Sequence, residues 1–387
     1  MIIRGLTEED VKEHDRVSSQ AFVYSCDLTE SSALPSPVMA GAFLDDNKTL
    51  AADMEIGDRR CFFGNGTLRC AAVGGVAAKP EYRGRGAVRA MFDALFDGSV
   101  FGDRWDVSVL YPFSSFCYGK FGYGCVGSAV TLTVPFGELS DVPKNTDVRL
   151  HEGDDHSALF DIYNACAENY SLCFVRDAAS LQSSPLPYIA EPYLEKKYTY
   201  IRGKEAYATF SVNREKSCIE VKEIFYRDRN ALVGIVGFLR NFEGNQRTVV
   251  FENIPARSEI FTLIRDVCRA EMKARPVGMA RVLNAENVLK TKKYPRHGGS
   301  FVLGLRDVIE KNDRAFAVEY AGGTAEVHPT DRPPELILEP PAAAKLFFDG
   351  VTSFRELAFL PGAEIKLENP ELLAAFPVEN TFFCDPF

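Results

Sequence analysis

The sequence predicts a mixed α/β protein with mixed sheets, built as two similar halves followed by a smaller α+β part. Three observations carry that expectation. Residues 73–96 read as an apolar strand, an arginine- and glycine-rich turn and a helix. The opening pattern partly restarts after about residue 145, where 148–170 resembles the first strand and helix, and 218–242 echoes 73–96. After about residue 285 the texture changes to the apolar/polar alternation of a small sheet. Alternating strands and helices of this kind make layered α/β domains. The boundaries expected from these shifts are 1–145, 146–285 and 286–387.

Taken in order, IIRG opens as a short strand and the helix after it starts at Thr7, a good N-cap, with Glu8 and Glu9 at its positive end. Residues 38–63 hold strand-like runs broken by a turn at Asp45 to Lys48. A strand follows at 70–78, then the turn PEYRGRG and a helix from Ala87 to about Phe96. WDVSVLYP (105–112) is a buried strand, FSSFCYGKFGYG a short helix, and SAVTLTVPF (128–136) another strand. In the second half the turn is Arg227-Asp228-Arg229-Asn230, with no glycine in it. In the last part Asn312-Asp313 and Gly322-Gly323 mark turns, 332–350 gives a strand then a helix, and the chain closes on an aromatic tail.

Bulk properties narrow the function. The 387 residues suit two or three domains, and 46% hydrophobic with 25% charged residues is ordinary for a folded protein. A net charge of −10 disfavours nucleic acid, whose phosphates call for Lys and Arg. It is compatible with a cationic small molecule, although plain solubility explains it more simply. No stretch reaches the ~20 apolar residues of a membrane span, and MIIRGLTEEDVKEHD is no signal peptide, so a cytoplasmic location is the default. The ten cysteines are scattered without a C-x-x-C, and no histidine pair has convincing ligand spacing. Free thiols and no metal are expected. His151 and His156 flank a polar HEGDDH stretch that reads as a solvated helix start.

The strongest chemical signal is Val76 to Arg89, VAAKPEYRGRGAVR. The strand ends at Pro80, so its last residues lack full ladder pairing. Gly74 and Gly75 permit a bulge that splays it from its neighbour. The freed backbone groups at Val76, Ala77 and Ala78 would pair with an extended amide chain. Gly84 and Gly86 let the next N–H groups converge on the start of a helix, where the dipole favours an anion, with Arg83 and Arg85 alongside. Strand amides followed by a diphosphate cradle match the pantetheine and diphosphate of coenzyme A. The plainer reading, a surface turn, fits this strand–turn–helix context less well. A dinucleotide fingerprint is absent, since Arg89 stands where its third glycine belongs.

Residues 73–92 resemble the acetyl-CoA signature of the GNAT superfamily of N-acetyltransferases, R/Q-x-x-G-x-G/A, through Arg83, Gly86 and, as a departure at the last position, Val88. The whole chain resembles the enhanced-intracellular-survival (Eis-like) family within it. The length suits two acetyltransferase-like domains plus a sterol-carrier-protein-like third, Tyr118 to Gly124 is similar to a Y-G-x-F-G-Y-G run, and the chain ends in Phe387. The resemblance implies the mixed-sheet acyl-CoA N-acyltransferase fold and acetyl transfer from acetyl-CoA to amines of a cationic, aminoglycoside-like acceptor at several positions. It also implies a homo-oligomer, a hexamer in that family.

By the same resemblance, acetyl-CoA contacts fall on Val76, Ala77, Ala78, Arg83, Gly84, Arg85, Gly86, Ala87, Val88 and Arg89, with Phe113 and Ser114 lining the acetyl end. Tyr118 becomes the general acid and the α-carboxylate of Phe387 the general base. A phenol of pKa ~10 is a reasonable donor to a thiolate, whereas a carboxylate of pKa ~3.5 needs burial to act as a base. Backbone N–H groups at 76–78 are the candidates for an oxyanion. Tyr123 is the competitor for the acid, with core packing the expectation for it and for Phe121. Asp27, Glu30 and Asp385 are weaker candidates for anchoring a cation, and Pro386 offers no charge beside the terminus. The rival readings are a protein-lysine or polyamine acetyltransferase, and a non-catalytic protein that binds CoA or a lipid.

Overall fold

The computed structural model describes residues 1–28, 34, 38–153, 155–178, 196–385 and 387. Glu30, Asp154 and Pro386 lie outside the described residues. The chain divides into two compact units, one of residues 1–126, 278–379 and 387, the other of 127–277 and 380–386.

In the first unit, β1 (Ile2–Gly5), β2 (Met39–Phe43), β3 (Leu50–Phe63) and β4 (Gly66–Ala78) form an antiparallel meander. β5 (Val107–Leu110) then joins β4 in parallel, because α2 (Ala87–Phe96) carries the chain back. α1 (Val11–Phe22) crosses between β1 and β2, burying Val11, His14 and Val17 at helical spacing. Before it, the Asp10 carboxylate accepts hydrogen bonds from the Thr7 N–H and hydroxyl, so the helix entry is tied as a box. α2 turns Met91, Phe92 and Leu95 onto the sheet, where they meet Ile56, Ala71 and Val73.

β4 makes the opening that matters for function. Its parallel pairing with β5 ends at Val73, opposite Leu110, yet it runs on to Ala78. On its other side the register with β3 slips between Asp53 and Glu55, so two β4 residues, Gly75 and Val76, oppose one. Gly75 has a φ of +55° and carries that bulge. The bulge and the missing β5 partner leave one edge of Gly74–Ala78 without a neighbouring strand.

The second unit repeats this order. β7 (Arg149–Leu150), α4 (Ser157–Ala167), β8 (Lys197–Arg202), β9 (Ala206–Asn213) and β10 (Cys218–Tyr226) give an antiparallel meander, and α5 (Arg229–Leu239) returns the chain to β11 (Thr248–Pro255), parallel to β10. The duplication read weakly from the sequence is therefore matched strand for strand. The domain limits differ from the expected 145 and 285 because the strand closing each unit comes from after the other repeat. β6 (Gly124–Pro135) pairs with β11, and the end of β12 (Glu271–Val282) pairs with β5.

The C-terminal part is compact with the first unit. α6 (Ala285–Thr291) leads into a five-stranded sheet of order β15-β14-β13-β16-β17, formed by β13 (Gly299–Leu305), β14 (Ala315–Ala321), β15 (Thr324–Thr330), β16 (Leu336–Leu338) and β17 (Ala363–Ile365). The helix α7 (Pro340–Asp349) starts at two prolines that abut the YGKFGYG run. A Cβ on Gly122 would lie 3.0 Å from Pro340, and one on Gly124 would lie 2.4 Å from the Pro341 carbonyl. Those two glycines are thus spaced for close packing, which is the structural content of the motif.

Candidate functional site

The open edge of β4 and the start of α2 form the centre of the site. Val76 and Ala78 are half-exposed and pack toward α2, while Ala77 is buried toward α1. The turn from Arg83 to Gly86 is exposed, and its glycines have φ of +74° and +85°. A Cβ at either glycine meets no atom within 4 Å, so both glycines face open space instead of packed protein. Gly86 is the N-cap of α2 and no side chain caps it, which leaves the first N–H groups of the helix available. Arg83 bends over the strand end through a hydrogen bond from Nε to the Ala78 carbonyl, and Arg85 lies over the Tyr82 ring. These residues fit a diphosphate: open space, convergent N–H groups, a helix dipole and two exposed guanidinium groups.

Ala87 is buried at the helix start, and Val88 is half-buried against the core under the turn. Arg89 is set apart from the turn. Its guanidinium sits 5.1 Å over the Phe121 ring and lines a separate groove with Lys120 and Arg281.

At the end of β5 the chain exposes Tyr111 and Phe113 and enters α3 (Ser115–Gly119). The Ser114 hydroxyl accepts the Cys117 N–H and caps this helix. Tyr118 is held edge-on against Phe113, Phe92 and Tyr123, with ring centroids 5.5, 6.2 and 6.3 Å away. Its hydroxyl makes no hydrogen bond to a described residue, and burial pushes its pKa up to about 12.

Tyr123 is placed differently. It is 1% exposed, and its hydroxyl lies 2.6 Å from that of Ser108. Ser108 directs its own proton to the Ala71 carbonyl, so Tyr123 must donate to Ser108. Its proton is committed to the core and burial raises its pKa, as expected of a packing residue. Phe121 stacks on Phe92 at 4.5 Å.

Phe387 lies on the same stretch of β4. Its ring stacks on Tyr111 at 4.8 Å, and its terminal carbon would be 2.9 Å from a Cβ on Gly74. The carboxylate therefore rests on bare backbone beside the unpaired edge. Next to it, a Cβ on Gly75 would meet the Glu55 carboxylate at 2.4 Å. Glu55 makes no hydrogen bond to a described residue, and burial raises its pKa. Two carboxyl groups thus lie against consecutive glycines of one bulge. Sequence reasoning missed Glu55; only the register pairing Glu55 with Gly74, invisible in the sequence, brings it there.

Asp385, expected as an anchor for a cation, is engaged elsewhere. In the second unit it is buried and accepts a 2.9 Å hydrogen bond from Arg176 Nε, whose other nitrogens hold Glu223. Glu223, Cys384 and Asp385 come close enough to suggest a metal cage, but the Arg176 guanidinium already supplies the positive charge there. His151 and His156 hydrogen-bond to each other at 2.8 Å. No described helix is long and apolar enough to cross a membrane.

Residues 2–126 match the acetyltransferase (GNAT) domain family. None of the curated proteins compared with the sequence matches it. Three solved structures share the fold along the whole chain at a TM-score of 0.82. They are a probable N-acyltransferase of unknown function from Enterococcus faecalis V583 (18% identity, 100% of this chain and 99% of that one), a GCN5-related N-acetyltransferase from Anabaena variabilis (18%, 100% of each) and Eis1 from Mycobacterium abscessus (17%, 100% of each). The mixed-sheet fold with tandem acetyltransferase-like halves expected from the sequence is the fold of these proteins.

Proposed function

We propose that this chain, built on its GNAT domain, moves an acetyl group from acetyl-CoA to amines of a cationic acceptor, as an Eis-like enzyme would. The observation that carries the reading is the terminal carboxylate of Phe387 lying on Gly74, beside the strand edge and turn that suit pantetheine and diphosphate. Acetyl-CoA supplies the acetyl group as a thioester.

The chain's own residues supply the rest. Backbone groups at Val76, Ala77 and Ala78 align the extended amides and present N–H groups to the thioester oxygen. Gly84, Gly86 and the α2 N-terminus hold the diphosphate, with Arg83 and Arg85 at the rim. Phe113 and Ser114 border the acetyl end.

Glu55 and the Phe387 carboxylate attract an ammonium, and the terminal carboxylate takes its proton, directly or through a water. The Tyr118 hydroxyl has its proton free to give to the departing sulfur. Burial disfavours both the phenolate and the thiolate, so moving the proton from one to the other exchanges one buried anion for another. An aminoglycoside-like polyamine satisfies this acidic acceptor side, and we extend the reading to a homo-oligomer of the Eis type.

The test is CoA release from acetyl-CoA by protein with its native C-terminus, offered kanamycin, spermidine and lysine peptides. Turnover with kanamycin supports the full reading. Turnover with another amine alone keeps the chemistry and replaces the acceptor. Tight acetyl-CoA binding without turnover on any of them contradicts the proposal.

A further inference from the structure

The second unit carries a cavity of about 650 Å³, a size usual for small-molecule sites. Within the second repeat it occupies the position that the open edge of β4 occupies within the first. β10 and β11 pair from Cys218↔Thr248 to Val221↔Phe251 and then part, as β4 and β5 part after Val73↔Leu110. The register of β10 with β9 slips between Val221 and Glu223, directly after that last pair, matching the bulge of β4. The parted strands give the cavity Ile224 and Phe225 on one side and Ile254 on the other, with Leu232 of α5 and Phe382 completing its apolar wall.

What the cavity lacks is the phosphate cradle. The segment Lys79–Gly86 of the first repeat is reduced here to Arg227–Asp228 between strand and helix. The Asp228 carboxylate accepts the Ala231 N–H at 2.8 Å and so fills the N-terminus of α5 with the protein's own negative charge. Arg227 is turned to the Asp161 carbonyl, 3.2 Å away. A phosphate entering along this route would meet a carboxylate instead of free N–H groups.

The strand edge and the apolar part of the wall suit a neutral ligand. The β10 edge beyond Val221 offers alternating N–H and C=O groups to an extended amide. The apolar wall is joined by charged lining residues that are already engaged, Lys222 with Glu252, Glu223 with Arg176 and Glu259 with the Tyr226 hydroxyl, while Arg229 is exposed. The hydroxyl of Tyr170, a lining residue, has no hydrogen bond to a described residue. We infer that the second unit binds a phosphate-free, extended amide with an apolar end, in the cleft between β10 and β11. A pantetheine-type arm without its nucleotide and a short apolar peptide share this chemistry.

Equilibrium dialysis of the full chain tests the inference, with pantetheine and a capped apolar tripeptide as probes and CoA present at saturation to fill the first-unit site. Two variants plug the cavity from half-exposed and exposed lining positions, Ala165→Trp and Thr262→Trp. The expected result is one equivalent of at least one probe per chain for the parent protein. Both variants should lose that binding at least tenfold while keeping the parent's thermal midpoint and acetyl transfer. Whichever probe binds identifies the source of the amide. Absence of binding by both probes, or binding undiminished in both variants, overturns the inference.

Discussion

Replacing Gly74 by alanine puts a methyl carbon 2.9 Å from the terminal carbon of Phe387 and 3.0 Å from its carbonyl oxygen. Carbon atoms pack at ~3.5–4.0 Å, so the carboxylate must retreat by ~0.6–1 Å. The substituted residue itself is not strained, because Gly74, unlike Gly75, is not in the left-handed region. A strand alanine should even stabilise by ~0.5–1 kcal/mol over glycine. A displacement of ~1 Å at a catalytic group costs ~100-fold in rate. Gly74→Ala should therefore lower kcat by ~100-fold with a thermal midpoint no lower than the parent's and an unchanged KM for acetyl-CoA. The assay is continuous release of CoA thiol, with Gly244→Ala, a position where a Cβ meets no atom within 4 Å, as the control. A Gly74→Ala protein with kcat within twofold of the parent would refute the placement of the terminal carboxylate in catalysis.

Tyr118→Phe should cut kcat ~100-fold or more with acetyl-CoA affinity retained, whereas Tyr123→Phe should cost stability by stranding Ser108 more than it costs turnover; the reverse pattern in paired kinetics and melts contradicts the assignment. Tyr118 acts in its protonated form and its pKa stands at about 12, so raising the pH to 10 should not open a descending limb in kcat; a limb near 10 would show an ordinary, solvated phenol in that role. Glu55→Gln should raise KM several-fold for a polyamine acceptor and leave KM for acetyl-CoA alone, which steady-state kinetics in both substrates will check. Arg176→Met leaves Glu223 and Asp385 buried without their cation, a loss of ~3–5 kcal/mol that chemical denaturation should detect.

Local patterns made much of the first repeat legible. α2 spans the Ala87–Phe96 range that its apolar spacing indicates, and the Gly75 bulge follows from two adjacent glycines in a strand. The separation of Tyr118 from Tyr123 was visible as motif position, but its cause, a hydroxyl chain through Ser108 to Ala71, needs the β4–β5 register. Long-range pairing hid the rest. The exchange of closing strands between repeats leaves no mark in composition, so the expected limits followed texture. Glu55 joins the site only through the strand opposite, and Asp385 looked like any exposed acid of the tail until Arg176, far away in sequence, buried it. The second repeat was hard to recognise because its turn has shrunk to Arg227–Asp228, deleting the signature while keeping the parted strands.

On the proposed function, the chain's last carboxylate and its acetyl-CoA edge form one acetyl-transfer site. Comparing the native protein with a version extended by one glycine beyond Phe387, in CoA release with a responsive amine, tests it most directly. The extension keeps the aromatic ring but converts the carboxylate into a neutral amide. Turnover falling ~100-fold with acetyl-CoA binding intact is the predicted result. Equal turnover by the two proteins would contradict it.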